Sequence, residues 1–174
     1  VATYFEGLDD NISLAVSLPV CALHIDLVRS PGQLEKILPL VPPKLTLSLG
    51  VIDGRNIWKN DYRKSLGFIH KAIDTLGEER VMIAPSCSLL HVPADLDRET
   101  AIQPEIKEWM AFAKQKLDEV SALRLIVNGN NPLFNENQLS LEKRKSSSLI
   151  HKQQIKQRVA AITDKDARRI SDFP

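Results

Sequence analysis

The sequence predicts an α/β fold: about four parallel βα units followed by a helical C-terminal extension. Short β-rich runs alternate with longer segments whose apolar residues recur at helical spacing, and this alternation continues to about Gly129 and then stops. Strands that alternate with helices imply a parallel sheet covered by helices and joined by right-handed crossovers. With 174 residues, 43% hydrophobic and 26% charged, the chain has the length and composition of a water-soluble globular protein with one sizeable core.

Taken in order, Val1 to Phe5 reads as a short strand, with a helix from about Asn11 to Leu18 behind it. Ala22 to Val28 is the second strand, after which Ser30-Pro31 offers a helix cap and a proline at the first helical position, with Leu34, Ile37 and Leu38 on one face. Pro42-Pro43 ends that helix. Lys44 to Ile52 is the third strand. Asp53-Gly54-Arg55-Asn56 then makes a polar turn into a helix from about Asn60 to Leu76, striped by Leu66, Ile69, Ile73 and Leu76 and capped by Gly77. The fourth strand is Arg80 to Ala84. A long helix opens near Pro104, with Ile106, Trp109, Met110, Ala113, Leu117 and Val120 as its core stripe. Asn130-Asn131-Pro132 breaks the pattern. Beyond it the chain reads as helical and basic from about Gln138 to Ile162, with Ile155, Val159 and Ile162 on one side, an interruption at Ser146-Ser147-Ser148 and a short capped turn from Asp164. The two parts are therefore 1–129 and 130–174.

Charge and composition exclude several classes of function. The net charge of +1 gives no global steering toward nucleic acid, although Asn137 to Pro174 carries nine Lys or Arg against four Asp or Glu. No aromatic residues are interleaved with those charges for base stacking, so the basic tail reads as a solvated helix face and no nucleic-acid partner is expected. The longest uncharged apolar stretch, Ile12 to Leu23, contains Ser13, Ser17 and Pro19 and falls short of the roughly 20 residues that cross a bilayer. No membrane association is expected. Two cysteines, Cys21 and Cys87, are too few for a disulfide scaffold, and both are expected reduced in a cytoplasmic setting.

In parallel sheets and barrels the chemistry gathers at the carboxyl ends of the strands. Here those ends carry Glu6 and Asp9, then Asp26 and Arg29, then Asp53, Arg55 and Asn56, then Ser86, Cys87 and His91. Cys87 has four readings: nucleophile, metal ligand, disulfide partner or buried small hydrophobe. A nucleophile needs a nearby base, and Leu89, Leu90 and Pro93 argue for a loop that does not bring His91 to the thiol. A zinc site needs three or four ligands, and the chain has no CxxC, HxH or HExxH; only His24, Asp26, Cys87 and His91 could converge. Gly50 to Asn56 lacks the spacing of a phosphate-binding loop. Asp26 and Asp53 could pair as acid and base, but also read as turn caps and partners for Arg29 and Arg55. His24 shares a strand face with Asp26 and reads as an interior histidine. No catalytic residue is assigned.

Several segments together resemble the cobalamin-independent methionine synthases. "TYFEGLDDNISLAVSLPVCALHIDLVRSP", "LSLGVIDGRNIW", "APSCSLLHVPADLD" and "WMAFAKQKLDEV" are similar, in order and spacing, to successive portions of the amino-terminal domain of that family, over Thr3 to about Val120. "QQIKQRVAAIT" resembles, more briefly, the segment leading toward the catalytic domain.

The resemblance implies a partial (βα) TIM-type barrel, being the later strands of the amino-terminal barrel plus a connector, in a longer two-barrel enzyme. Such enzymes transfer a methyl group from 5-methyltetrahydrofolate polyglutamate to homocysteine, with zinc in the carboxyl-terminal barrel activating the thiol. "PSCSLL" and "HIDLVRS" look like counterparts of that barrel's cysteine and carboxylate ligand segments, which makes Cys87 and Asp26 relic ligand positions. Thr3-Tyr4-Phe5 stands where the catalytic copy has a His-x-Cys pair, so no zinc is expected on this segment. Its expected role is scaffold and folate-cleft wall, with Asp53, Arg55, Asn56 and His91 as candidate substrate contacts at the mouth and the catalytic barrel as partner. The other reading is an independent α/β module that binds a small anion or metal at the strand ends.

Overall fold

The computed structural model describes residues 1–168. The chain forms two compact units, dividing between Leu141 and Glu142. The first holds a parallel sheet of three strands, β1 (Ala22–Asp26), β2 (Thr46–Ile52) and β3 (Val81–Pro85), in that spatial order. Its helices are α1 (Ile12–Ser17), α2 (Gln33–Ile37), α3 (Tyr62–Leu76), α4 (Pro104–Lys107) and α5 (Ala113–Val127), and α6 runs from Asn131 to Ser146. In the second unit α7 spans Gln153–Ala160. Among the described residues no helix is long and apolar enough to cross a membrane.

The sheet is covered by helices on one side. Leu23, Ile25, Leu47, Leu49 and Val51 alternate onto the covered face and are buried against Leu34 and Ile37 of α2, Leu66, Ile69 and Ala72 of α3, and Leu123 and Ile126 of α5. The opposite face carries His24, Ser48, Gly50 and Ala84 in register, with Met82 52% exposed at its end. A sheet covered on both sides needs apolar residues on both. This one is uniformly apolar on one side and mixed on the other, where His24, Ser48 and Gly50 stand beside Met82. His24 and Ser48 satisfy each other there, Nδ1 and Oγ lying 3.0 Å apart, so the polar face is internally bonded.

Four expectations need correction. The strand foreseen at Val1 to Phe5 is only a single bridge, Ala2 to His24, which leaves three strands and not four. Phe5 adopts φ 80°, which ends the extended chain, and its N–H turns away from strand pairing to the side chain of Asp26, 21 residues on. The helix after β1 starts at Gln33, not at Pro31, because Ser30 and Pro31 form a turn whose carbonyls accept from the Gln33 and Leu34 amides.

The long helix from Pro104 is broken. Trp109 to Ala111 pair with the loop after β2, Lys59 N–H donating to Trp109 O at 2.9 Å and Ala111 N–H to Ile57 O at 2.8 Å. Backbone groups committed sideways cannot propagate a helix. Met110 and Phe112, with Leu96, then form a small second core against Ile57, Trp58, Ile102 and Ile106. The stripe foreseen for α5 is also out of phase: Leu117 is 55% exposed, and the buried side carries Lys116, Glu119, Ala122, Leu123 and Ile126. The interruption foreseen near Ser146 is where α6 ends.

Candidate functional site

The loops leaving the carboxyl ends of β1, β2 and β3 meet at one end of the sheet, and each is shaped by a side chain that caps backbone. Asp26, 1% exposed at the end of β1, accepts from the Val28 and Arg29 amides through Oδ1 (2.9 and 3.0 Å) and from the Phe5 amide through Oδ2 (3.1 Å). Asp53, just past β2, accepts from the Arg55 amide through Oδ1 and from Asn56 Nδ2 through Oδ2, both at 2.8 Å. Asn56 Oδ1 in turn accepts from the Trp58 amide at 3.0 Å. These are the turn caps that short polar side chains form by bonding their own backbone two or three residues on.

The second and third loops touch. Gly54 N–H donates to Ser86 Oγ at 3.2 Å, and a Cβ on Gly54 would lie 2.9 Å from Cys87 Sγ, so only glycine fits there without a shift. Cys87 is free, buried and bonded weakly to Ser88 O at 3.6 Å. Burial pushes its thiol pKa up, and the nearby Asp26 and Asp53 carboxylates add to that against the opposing Ser86 hydrogen bond and Arg55 charge. A thiol held protonated is a poor nucleophile.

Four of the residues singled out from sequence are brought to this mouth in distinct roles. Arg55 and His91 converge on a residue that was not singled out as a contact, Phe5. The Arg55 guanidinium lies 5.0 Å from the Phe5 ring centroid, and the His91 ring meets Phe5 edge-on at 5.5 Å. Tyr4 packs edge-on against both Phe5 and His24, at 5.3 and 6.2 Å. The mouth thus presents a cation and a patch of partly exposed rings. Asp53 and Asn56 are spent on shaping the turn beneath it.

Zinc does not fit these residues. Both Asp26 oxygens are engaged by three amides, and His24 is held by Ser48 Oγ and, through Nε2, by Ser86 O at 3.3 Å. Among the described residues no group of three or more His, Cys, Asp and Glu could hold a metal ion.

Sequence reasoning missed two charged residues beneath the mouth. Lys116, fully buried on α5, donates to Trp58 O at 3.1 Å and to Asn56 Oδ1 at 3.5 Å. Glu119, 4% exposed one turn further on, accepts from the Asn60 amide at 2.8 Å through Oε1, and its buried Oε2 has no partner. Burial pushes Glu119 up to about 7 and pulls the Lys116 ammonium down. Both sit at helical spacing with Ala122, Leu123 and Ile126, the one signal that could have found them. A cavity of about 470 Å³ opens beside Glu119, walled also by Lys59, Tyr62, Glu136 and Asn137.

The chain is similar in sequence to proteins of one named family. Residues 1–77 match the family model described as "Cobalamin-independent synthase, N-terminal domain". A protein of Cytophaga hutchinsonii named 5-methyltetrahydropteroyltriglutamate–homocysteine methyltransferase is 55% identical over 185 residues, covering 99% of this chain and 24% of its own. Proteins of the same name from Syntrophotalea carbinolica and Saccharomyces cerevisiae are 48% and 45% identical, each over 99% of this chain and 23% of their own. The chain therefore spans about a quarter of the length of the curated relatives it matches.

Proposed function

The chain belongs to the cobalamin-independent methionine synthase family, and from that premise we propose that it serves a methyltransferase as one side of the methyl-donor cleft, not as the site of metal chemistry. The relatives' name supplies the substrates: 5-methyltetrahydropteroyltriglutamate as donor and homocysteine as acceptor. In this reading residues 1–129 are the later part of an amino-terminal (βα) barrel, and 130–174 are the helical connector toward a catalytic barrel that holds zinc. The setting is cytoplasmic. Support for the barrel comes from the repeated connection: three parallel strands in sequential order, each joined to the next through a helix, as in a (βα) barrel.

The observation that carries the role is the Arg55–Phe5–His91 cluster. Its chemistry suits a flat donor with an acidic tail: the guanidinium offers a forked pair of donors to a carboxylate, and the rings offer an apolar face. Methyl transfer forms a carbon–sulfur bond and breaks a carbon–nitrogen bond while the thiol proton leaves sulfur and the departing nitrogen gains one; the role assigned to this mouth is to hold the donor. Asp53 and Asn56 shape the turn, Asp26 holds Phe5, and Arg55 and His91 face the donor.

Kinetics of the complete enzyme test this. Arg55→Ala is expected to raise KM for the donor about tenfold while kcat stays within about twofold, the pattern of lost binding common to ground and transition states. Zinc content should be unchanged in both Arg55→Ala and Cys87→Ala. An unchanged KM, or zinc lost stoichiometrically with Cys87, refutes the assignment and favours a metal-binding module.

A further inference from the structure

We propose that Lys116 and Glu119 are positioning residues, a buried clamp on α5 that fixes the loop of residues 53–60 from beneath and thereby sets where Arg55 stands at the mouth. The two side chains grip the loop at separate points. Lys116 Nζ holds Trp58 O and Asn56 Oδ1, while Glu119 Oε1 holds the Asn60 amide. From Asn56 the path runs outward: its Nδ2 donates to Asp53 Oδ2, and Asp53 Oδ1 accepts from the Arg55 amide. The far side of the loop is pinned by the backbone pairing of Ile57 and Lys59 with Ala111 and Trp109. Three amides of the loop, those of Arg55, Trp58 and Asn60, are thus taken by side chains and not by regular secondary structure.

The residue types are the argument. Taking an ammonium and a carboxyl group out of water is costly, and an apolar residue of like volume usually serves stability as well or better. A methionine at 116 would fill the same space along its stem, but could not donate to Asn56 or to Trp58 O. What the charge adds is a fixed address for the loop. That consequence for donor binding rests on the reading of the mouth given above; the clamp itself does not.

Amide hydrogen exchange and kinetics of Lys116→Met, alone and with Asn56→Ala, in the complete protein, test both halves. Exchange at Arg55, Trp58 and Asn60 is expected to rise about tenfold or more while β2 and the second half of α5 keep their protection. The double variant should add little, because both changes cut one path. KM for the methyl donor should rise with kcat held, as for Arg55→Ala. Unchanged exchange in the loop overturns the clamp, and so does equal acceleration across α5 and β2, which would mark a general loss of core stability. If loop exchange rises but Arg55→Ala leaves KM unmoved, the clamp stands and the mouth assignment fails. Should Lys116→Met not fold, Glu119→Ala decides: loss of protection at the Asn60 amide supports the clamp, and retained protection refutes it.

Discussion

The Phe5 amide donates to Asp26 Oδ2 at 3.1 Å, and that bond joins the turn at the start of the chain to the end of β1. Phe5 holds φ 80°, a conformation that costs a non-glycine residue on the order of 1–3 kcal/mol and persists only where surroundings enforce it. Asp26 supplies the enforcement. Through this bond Asp26 holds the ring that stands against Arg55 and His91.

Asp26→Asn should therefore destabilise the fold, since the amide group cannot accept from both the Phe5 amide and the Val28 and Arg29 pair. The expected loss is about 2 kcal/mol, with Asp26→Ala costing more. Urea midpoints at constant m-value measure it. A loss below about 0.5 kcal/mol would show that the three amides have other acceptors.

The two thiols should differ sharply in reactivity. Cys21 is exposed, whereas Cys87 is buried with its pKa raised by that burial. Alkylation at pH 8 followed by peptide mass mapping should label Cys21 at least about tenfold faster than Cys87. Denaturation should equalise them.

Glu119 gives a pH dependence with a definite sign. Its pKa is raised from 4.5 to about 7 in the fold by burial, against the opposing Asn60 amide and the Lys116 and Lys59 charges, with Asp118 on the same helix raising it further and Glu136 and Tyr62 across the same cavity. The folded state binds this proton more tightly than the unfolded one. Its contribution to stability is therefore full below about 4.5 and is lost as pH rises through about 7, by on the order of 3 kcal/mol at most. Glu119→Gln should flatten the change in stability between pH 5 and 8, as read by denaturant titrations at each pH. A wild-type curve no steeper than that of the variant would contradict the shift.

Gly50 marks where strands approach too closely for a side chain. A Cβ there would lie 2.8 Å from both Ile25 O and Ser86 Cα, backbone on either side in the middle strand of the sheet. Gly50→Ala should cost about 1–3 kcal/mol by forcing β1 and β3 apart. Gly67→Ala on α3, with open space around its Cβ, should instead stabilise by up to about 1 kcal/mol. Thermal melts of the pair make the comparison internal.

The sequence by itself determined the α/β class, the order of strands and helices through β3, the helix ending at Gly77 and the interruption after Ser146, because each is written in local periodicity or in a terminating residue. It also read residues 53–56 as a polar turn with Asp53 as a cap, since that bonding is short in range, but offered Asn56 as a substrate contact and not as the second capping residue of the turn. Tertiary structure decided the rest. The first strand shrank to one bridge because Phe5 N–H found Asp26, a partner distant in sequence. The helix from Pro104 broke because Trp109 to Ala111 found the loop after β2. Lys116 and Glu119 went inward, against their own preference for water, because α5 must turn Leu123 and Ile126 to the sheet and carries its neighbours on that face with it. Local patterns fix which element forms; only the packed neighbours fix what a charged residue on it can reach.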